Sequence, residues 1–139
     1  MNDKFVLLVE DNPDDITLTQ FAFRRANVSN KVMVAKDGKE ALDFFSRDGG
    51  TGNLDHKLGL VLLDLKLPIV SGLDVLKEIK SNKYTALIPV IVLTSSIEDS
   101  DQTESLRLGA NDYIRKPTGL SEFIEIVKQI KAKWLDSNI

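Results

Sequence analysis

Apolar and polar positions along this chain fall into two alternating rhythms. Short strand-like runs lie at about residues 4–9, 30–36, 58–64, 88–93 and 112–115, of which the first, third and fourth are nearly continuous in apolar residues. Between them apolar residues recur at three- and four-residue intervals, the spacing of one helical face. Over 14–27 that face is Leu18, Phe21 and Ala22; over 38–47 it is Ala41, Leu42 and Phe45; over 72–82 it is Leu73, Leu76 and Ile79. Segment 120–135 is the clearest helix, with Phe123, Val127, Ile130 and Trp134 in a stripe flanked by Glu122, Glu125, Lys128, Lys131 and Lys133. Start signals agree: Asp14 and Asp15 suit a helix N-terminus, and Ser71 suits a cap. Residues 97–108 differ. Their apolar positions are Ile97, Leu106 and Leu108, so this helix buries little and should be the least firmly held. Gly109 is its expected left-handed C-cap.

Strict strand–helix alternation, with continuous hydrophobicity in the first, third and fourth strands, argues for a parallel sheet covered on both faces. Five strands and five helices within 139 residues predict one α/β domain over 1–139. Its expected architecture is a doubly wound five-stranded parallel sheet, flavodoxin-like, of strand order 2-1-3-4-5. The connection over 48–57 is polar and glycine-rich. Lacking fingerprint spacing and opening no helix, it reads as a flexible loop rather than a phosphate cradle.

Composition narrows the function classes. A 42% hydrophobic and 28% charged chain is ordinary for a globular protein. A net charge of -3 gives no basic face for nucleic acid. With no cysteine, disulfides, thiol catalysis and thiolate metal sites are excluded. His56 is the one histidine, expected as a solvated loop residue, which weighs against a histidine zinc site or a serine–histidine triad. The first strand starts too early for a signal peptide, and no apolar run reaches membrane-spanning length. A cytoplasmic protein is the expectation.

Chemistry gathers where strands end. The first strand runs into Glu10 and Asp11, the third into Asp64, the fourth into Thr94 and Ser95, and the fifth into Lys116 and Pro117. A carboxylate closing an apolar strand must be capped, paired or used, because a buried unpaired charge is expensive. Ligands of open parallel sheets bind beyond the carboxyl ends of the strands, near the reversal of strand order. Strands 1 and 3 would lie side by side there, crowding Glu10, Asp11 and Asp64. Such like charges repel unless a cation neutralises them, and oxygen ligands favour magnesium. Each member also has an ordinary reading. Glu10 to Asp15 reads as an acidic turn capping the first helix, favoured for Asp14 and Asp15. Asp64 reads as an acceptor of backbone hydrogen bonds, Thr94-Ser95 as an N-cap, and Lys116-Pro117 as a turn. Tyr113 reads as a packed ring with its hydroxyl at the surface, and Trp134 as packing or a partner contact. Independent strand ends supplying acid, acid, hydroxyl and amine are hard to obtain from capping alone.

The chain resembles the receiver domain of two-component response regulators over essentially its whole length. The motifs are Val9-Glu10-Asp11-Asn12, Leu62-Leu63-Asp64-Leu65-Lys66-Leu67-Pro68 followed by Gly72, Leu93-Thr94-Ser95, Gly109-Ala110-Asn111-Asp112-Tyr113 and Lys116-Pro117. The opening Glu10 to Asp15, the long loop before the third strand and the Trp134-Leu135 ending are similar to stand-alone regulators paired with bacterial phytochromes. The resemblance implies that Asp64 is the phosphoacceptor. It implies a magnesium ion on Asp11, Asp64 and the backbone carbonyl of Lys66, with Glu10 acting mainly through water. It further implies Lys116 and Thr94 on phosphoryl oxygens, a cis bond before Pro117, and a Thr94/Tyr113 conformational switch. Glu10 stands where many members have aspartate, and Lys66, Ser95 and Ser96 flank the phosphate mouth.

The implied partner is a histidine kinase of phytochrome type, contacting the first helix and the loop after Lys116. No effector domain is expected, and the protein is a switch rather than an enzyme, although it assists its own phosphorylation and dephosphorylation. A homodimer through the 97–115 face and the C-terminal helix is a further expectation. Other readings stay open. A flavin-binding carrier on this fold needs phosphate-cradling residues after strand 1, where this chain has acids. A haloacid-dehalogenase-type hydrolase wants an aspartate where Lys66 stands. A receiver-like scaffold that is never phosphorylated would keep the fold without using the site.

Overall fold

A computed structural model describes residues 4–46 and 58–136. Strands β1 (Phe5–Val9), β2 (Val32–Ala35), β3 (Leu58–Leu63), β4 (Val90–Thr94) and β5 (Asp112–Arg115) form one sheet in the order β2-β1-β3-β4-β5. Every neighbouring pair is parallel, as expected from the unbroken apolar runs. Helices α1 (Pro13–Arg25), α2 (Gly38–Ser46), α3 (Gly72–Ser81), α4 (Asp99–Arg107) and α5 (Leu120–Ile130) alternate with the strands. The glycine-rich loop and His56 lie outside the described residues. Among the described residues no helix is long and apolar enough to cross a membrane.

Alternation along each strand divides the core in two. Val6, Leu8, Leu60, Leu62, Ile91 and Leu93 face Ala22 and Phe23 of α1 and Phe123, Val127 and Ile130 of α5. Leu7, Val9, Val61, Leu63, Val90 and Val92 face Ala41 and Phe44 of α2 and Val75, Leu76 and Ile79 of α3. Burial on both faces is what allows these strands to be apolar throughout.

Helix ends follow their local chemistry. Asn12, rather than Asp14, caps α1: its side chain accepts from Asp15 N at 3.0 Å, with Pro13 at the first helical position. Asp14 and Asp15 occupy the first turn, where the helix dipole favours acids. Ser71 caps α3 as expected, accepting from Asp74 N. Of α4 only Ser105 is buried, while Ile97 before it and Leu106 are exposed, in keeping with a weakly anchored helix. Gly109 ends α4 at φ 107°, with Gly109 N bonded to Leu106 O and Ala110 N to Ser105 O, a Schellman arrangement. The last helix is α-helical only to Ile130 and continues as a wider π-turn over Lys131–Leu135, which places half-buried Trp134 against the α1–α5 core. Strand β4 starts at Val90 rather than 88, after Pro89, which has no N–H to give a ladder.

Beside the starts of β4 and β5, Lys80 donates to Ala86 O (3.1 Å), Ile88 O (2.8 Å) and Asn111 Oδ1 (2.9 Å). The Asn111 oxygen also accepts from Val90 N at 2.9 Å. Burial pushes the Lys80 ammonium below its ordinary range.

Candidate functional site

The backbone ladder carries each candidate residue to the carboxyl rim of the sheet. Glu10 N bonds to Ala35 O (2.9 Å), Asp64 N to Val9 O (3.1 Å) and Lys116 N to Thr94 O (2.8 Å). These are continuations of strand pairing, so the side chains inherit the register of the sheet. One carboxylate oxygen from each of Glu10, Asp11 and Asp64 lies within 4.8 Å of the others. Glu10 and Asp64 are buried; Asp11 is exposed and leaves the cluster open to solvent.

Lys116 reaches into this cluster. Its Nζ lies 2.6 Å from Glu10 Oε1, 2.8 Å from Asp15 Oδ2 and 3.2 Å from Asp64 Oδ2. The second oxygens are held by backbone: Glu10 Oε2 accepts from Asn12 N at 3.2 Å and Asp64 Oδ1 from Lys66 N at 3.3 Å. Burial, abetted by the Asp64 charge, pushes the Glu10 carboxyl up despite its hydrogen bond from Lys116. Burial alone would lower the Lys116 ammonium. Hydrogen bonds to Asp15 and Glu10 and the charge of Asp64 overcome it and hold the group well above its ordinary range. These carboxylates thus gather around a cation supplied by the chain itself. Hard oxygen donors in that number also suit a divalent ion of the magnesium class, for which Glu10, Asp11 and Asp64 are the available holders.

Thr94 is fully buried, and its Oγ1 accepts from Ser96 N at 3.3 Å. Ser96, also buried, donates through Oγ to Asp101 Oδ2 at 2.5 Å and accepts from Glu98 N, tying the end of β4 to α4. The Thr94-Ser95 pair is therefore not the N-cap of α4; that position is Glu98, without a side-chain cap. Tyr113 pairs with Val92 in register and packs against the α2–α3 core. Its hydroxyl is buried without a hydrogen-bond partner among the described residues, not at the surface. Burial pushes the phenol up, with nearby Ser96 opposing in part. The Lys116–Pro117 bond is trans, since the described residues contain no cis peptide; this corrects the expected cis bond. Trans is the lower-energy form of X–Pro by about 0.5–1 kcal/mol.

In the sequence Asp15 reads as a helix-start residue, yet its side chain grips Lys116. Asn12 as cap and Pro13 at the first position fix Asp15 at the third, where side chains lean back towards the helix start. Ile69, in the loop between β3 and α3, has φ 71° and is 75% exposed, a strained conformation for a β-branched residue.

The fold and rim define a doubly wound α/β protein with a carboxylate pocket closed by one captive ammonium. The sequence model of the response regulator receiver domain family matches residues 6–128, and the chain belongs to that family. It is similar to the probable methanogenesis regulatory protein FilR2 of Methanothrix harundinacea (strain 6Ac), 38% identical over 134 residues, which span 96% of this chain and 84% of FilR2. The crystal structure of the phosphorylated cyanobacterial phytochrome response regulator RcpA superposes with a TM-score of 0.86 at 39% identity, covering 99% of this chain and 97% of that one. The crystal structure of the Mn(2+)-bound form of response regulator Rcp1 gives a TM-score of 0.84 at 33% identity, over 98% and 97% of the two chains. Membership sets aside the flavin carrier and the dehalogenase-type hydrolase, and it implies a signalling protein with a histidine kinase partner.

The raised Glu10 group has a testable consequence for the metal-free protein. A proton binds Glu10 more tightly in the folded state than in the unfolded chain. That contribution to stability is complete below the ordinary value of 4.5 and is lost as pH rises through the raised folded value. In chelator, the stability of wild type relative to Glu10→Gln is expected to fall across this window. Parallel unfolding profiles for the two proteins would assign the pH dependence to another group.

Proposed function

We propose that this protein accepts a phosphoryl group on Asp64 from a phosphohistidine of a partner kinase and signals through the rearrangement that follows. The observation that carries the reading is the Lys116 ammonium bonded to Asp64 and Glu10 within the three-carboxylate pocket. A carboxylate oxygen of Asp64 attacks phosphorus; the new O–P bond forms as the N–P bond of the phosphohistidine breaks, and the imidazole leaves with the electron pair. A divalent ion held by Glu10, Asp11 and Asp64, with the Lys66 carbonyl as a further ligand, would offset charge on the transferring group. Lys116 gives up a carboxylate contact and pairs with a phosphoryl oxygen. The Thr94 hydroxyl, so far only an acceptor from Ser96 among the described residues, donates to another.

The switch follows from the same geometry. Thr94 turns towards the phosphoryl group, and Tyr113, whose hydroxyl already lies inside without a partner, moves into the vacated space. Weakly anchored α4 follows through Ser96 and Asp101. Exposed Ile97 and Leu106 support the α4–β5 side as the docking or self-pairing face. The likeness to RcpA, a phytochrome response regulator, supports a kinase of phytochrome type.

Intact mass after acetyl phosphate and magnesium tests the reading. Wild type is expected to gain one phosphoryl group, and Asp64→Asn none. A wild type that gains nothing would leave a scaffold of receiver shape. Equal gain in both proteins would move the acceptor elsewhere.

A further inference from the structure

We propose that Asp15 is a positioning residue that competes with the phosphoryl group for Lys116, drawing the ammonium towards α1 and so setting how firmly the pocket holds a phosphoryl ligand. The inference rests on the Asp64 reading above but concerns a carboxylate with no part in it.

All three protons of the Lys116 ammonium are engaged, and the three contacts are unequal. Glu10 is at 2.6 Å, Asp15 at 2.8 Å and Asp64 at 3.2 Å, so the longest bond is the one to the residue being modified. The pull of Asp15 comes from a fixed point. Its N–H bonds to Asn12 Oδ1 at 3.0 Å and its carbonyl accepts from Thr19 Oγ1 at 2.8 Å, which locks it into the first turn of α1. Asp15 also stands apart from the carboxylates close enough together to share a metal ion, which are Glu10, Asp11 and Asp64. A cation in the pocket therefore weakens the claim of Glu10 and Asp64 on Lys116 and leaves that of Asp15 intact. When a phosphoryl oxygen arrives beside Asp64, the ammonium must be shared between that oxygen and Asp15. The Asp15 side chain is 37% exposed, so solvent moderates the competition without removing it.

Beryllofluoride, a non-covalent stand-in for the phosphoryl group, measures this directly at fixed saturating magnesium. Asp15→Asn is expected to bind it about twofold to fivefold more tightly than wild type, the range of a partly exposed ion pair. Asp15→Glu, which restores the charge, is expected to return towards wild type. Asp14→Asn removes the same charge one residue away from an exposed position and is expected to change nothing. The ammonium ¹H–¹⁵N signal of Lys116 in the metal-loaded protein should shift in Asp15→Asn and not in Asp14→Asn. Equal or weaker binding by Asp15→Asn overturns the competition. Equal tightening by Asp14→Asn and Asp15→Asn overturns it too, because a general field effect then suffices. Wild type that gains no mass from acetyl phosphate overturns the Asp64 reading and, with it, this one. Normal phosphorylation with an inert Asp15 overturns only the latter.

Discussion

Alanine in place of Gly72 is expected to destabilise the protein by about 3 kcal/mol and to abolish phosphoryl uptake by the fraction that still folds. A Cβ at this position would run into the backbone oxygen of Asp64 and come within 2.5 Å of Leu65 Cα. Both are main-chain atoms, so no rotamer change can relieve the clash. The approach is close because Gly72 N donates to Leu65 O at 3.0 Å, laying the start of α3 directly on the exit from β3. Moving α3 outward would break that bond and displace Asp64 from the reach of Lys116. Urea denaturation and intact mass after acetyl phosphate read the two losses separately. A variant with the wild-type midpoint would mean that the backbone here yields more easily than this packing allows.

The second large effect is expected at Lys116. Its side chain is 13% exposed, against 3% for Glu10 and 8% for Asp64, so the pair contacts are largely withdrawn from water. Removing one partner of such a pair leaves the other charges uncompensated, and Lys116→Ala should cost the metal-free protein about 3–5 kcal/mol. The loss should shrink as pH is lowered, because Glu10, already raised by burial, takes up a proton and removes one charge. Magnesium should recover much of the stability, since a divalent ion supplies the missing positive charge only to the folded state. Phosphoryl uptake should stay low even so, because no ammonium remains to meet the transferring group. Denaturation with and without magnesium measures each of these. Identical metal-free midpoints for variant and wild type would show that the cluster tolerates its own repulsion.

Much of this arrangement was legible in the amino-acid sequence, for a reason particular to parallel sheets. A strand buried on both faces needs an unbroken apolar run, so its end is marked by the first polar residue. Glu10, Asp64 and Thr94 each occupy that position, Lys116 follows the short strand β5 directly, and the strand order brings all four to one rim. What escaped detection depends on side-chain reach or backbone angle rather than on pattern. Asp15 meets Lys116 across 101 positions of chain, from a helix whose spacing pointed only to an acidic first turn. The trans bond at Pro117 and the left-handed backbone at Ile69 leave no mark in the run of polar and apolar residues. The same holds for the π-turn after Ile130, where the apolar stripe through Trp134 continues without a break.

Lys116 and Lys80 lie at opposite ends of the sheet, and they differ in the company they keep. Lys116 sits among charged carboxylates, the groups to which the proposed metal ion and phosphoryl group would come. Lys80 is bonded to two main-chain oxygens and one amide oxygen, none of which titrates. The Lys80 contacts therefore do not depend on the charge state of the carboxylate pocket. Because Asn111 joins Lys80 to the root of β4, the proposed turn of Thr94 and Tyr113 would take place on strands whose other ends are tied independently of the pocket.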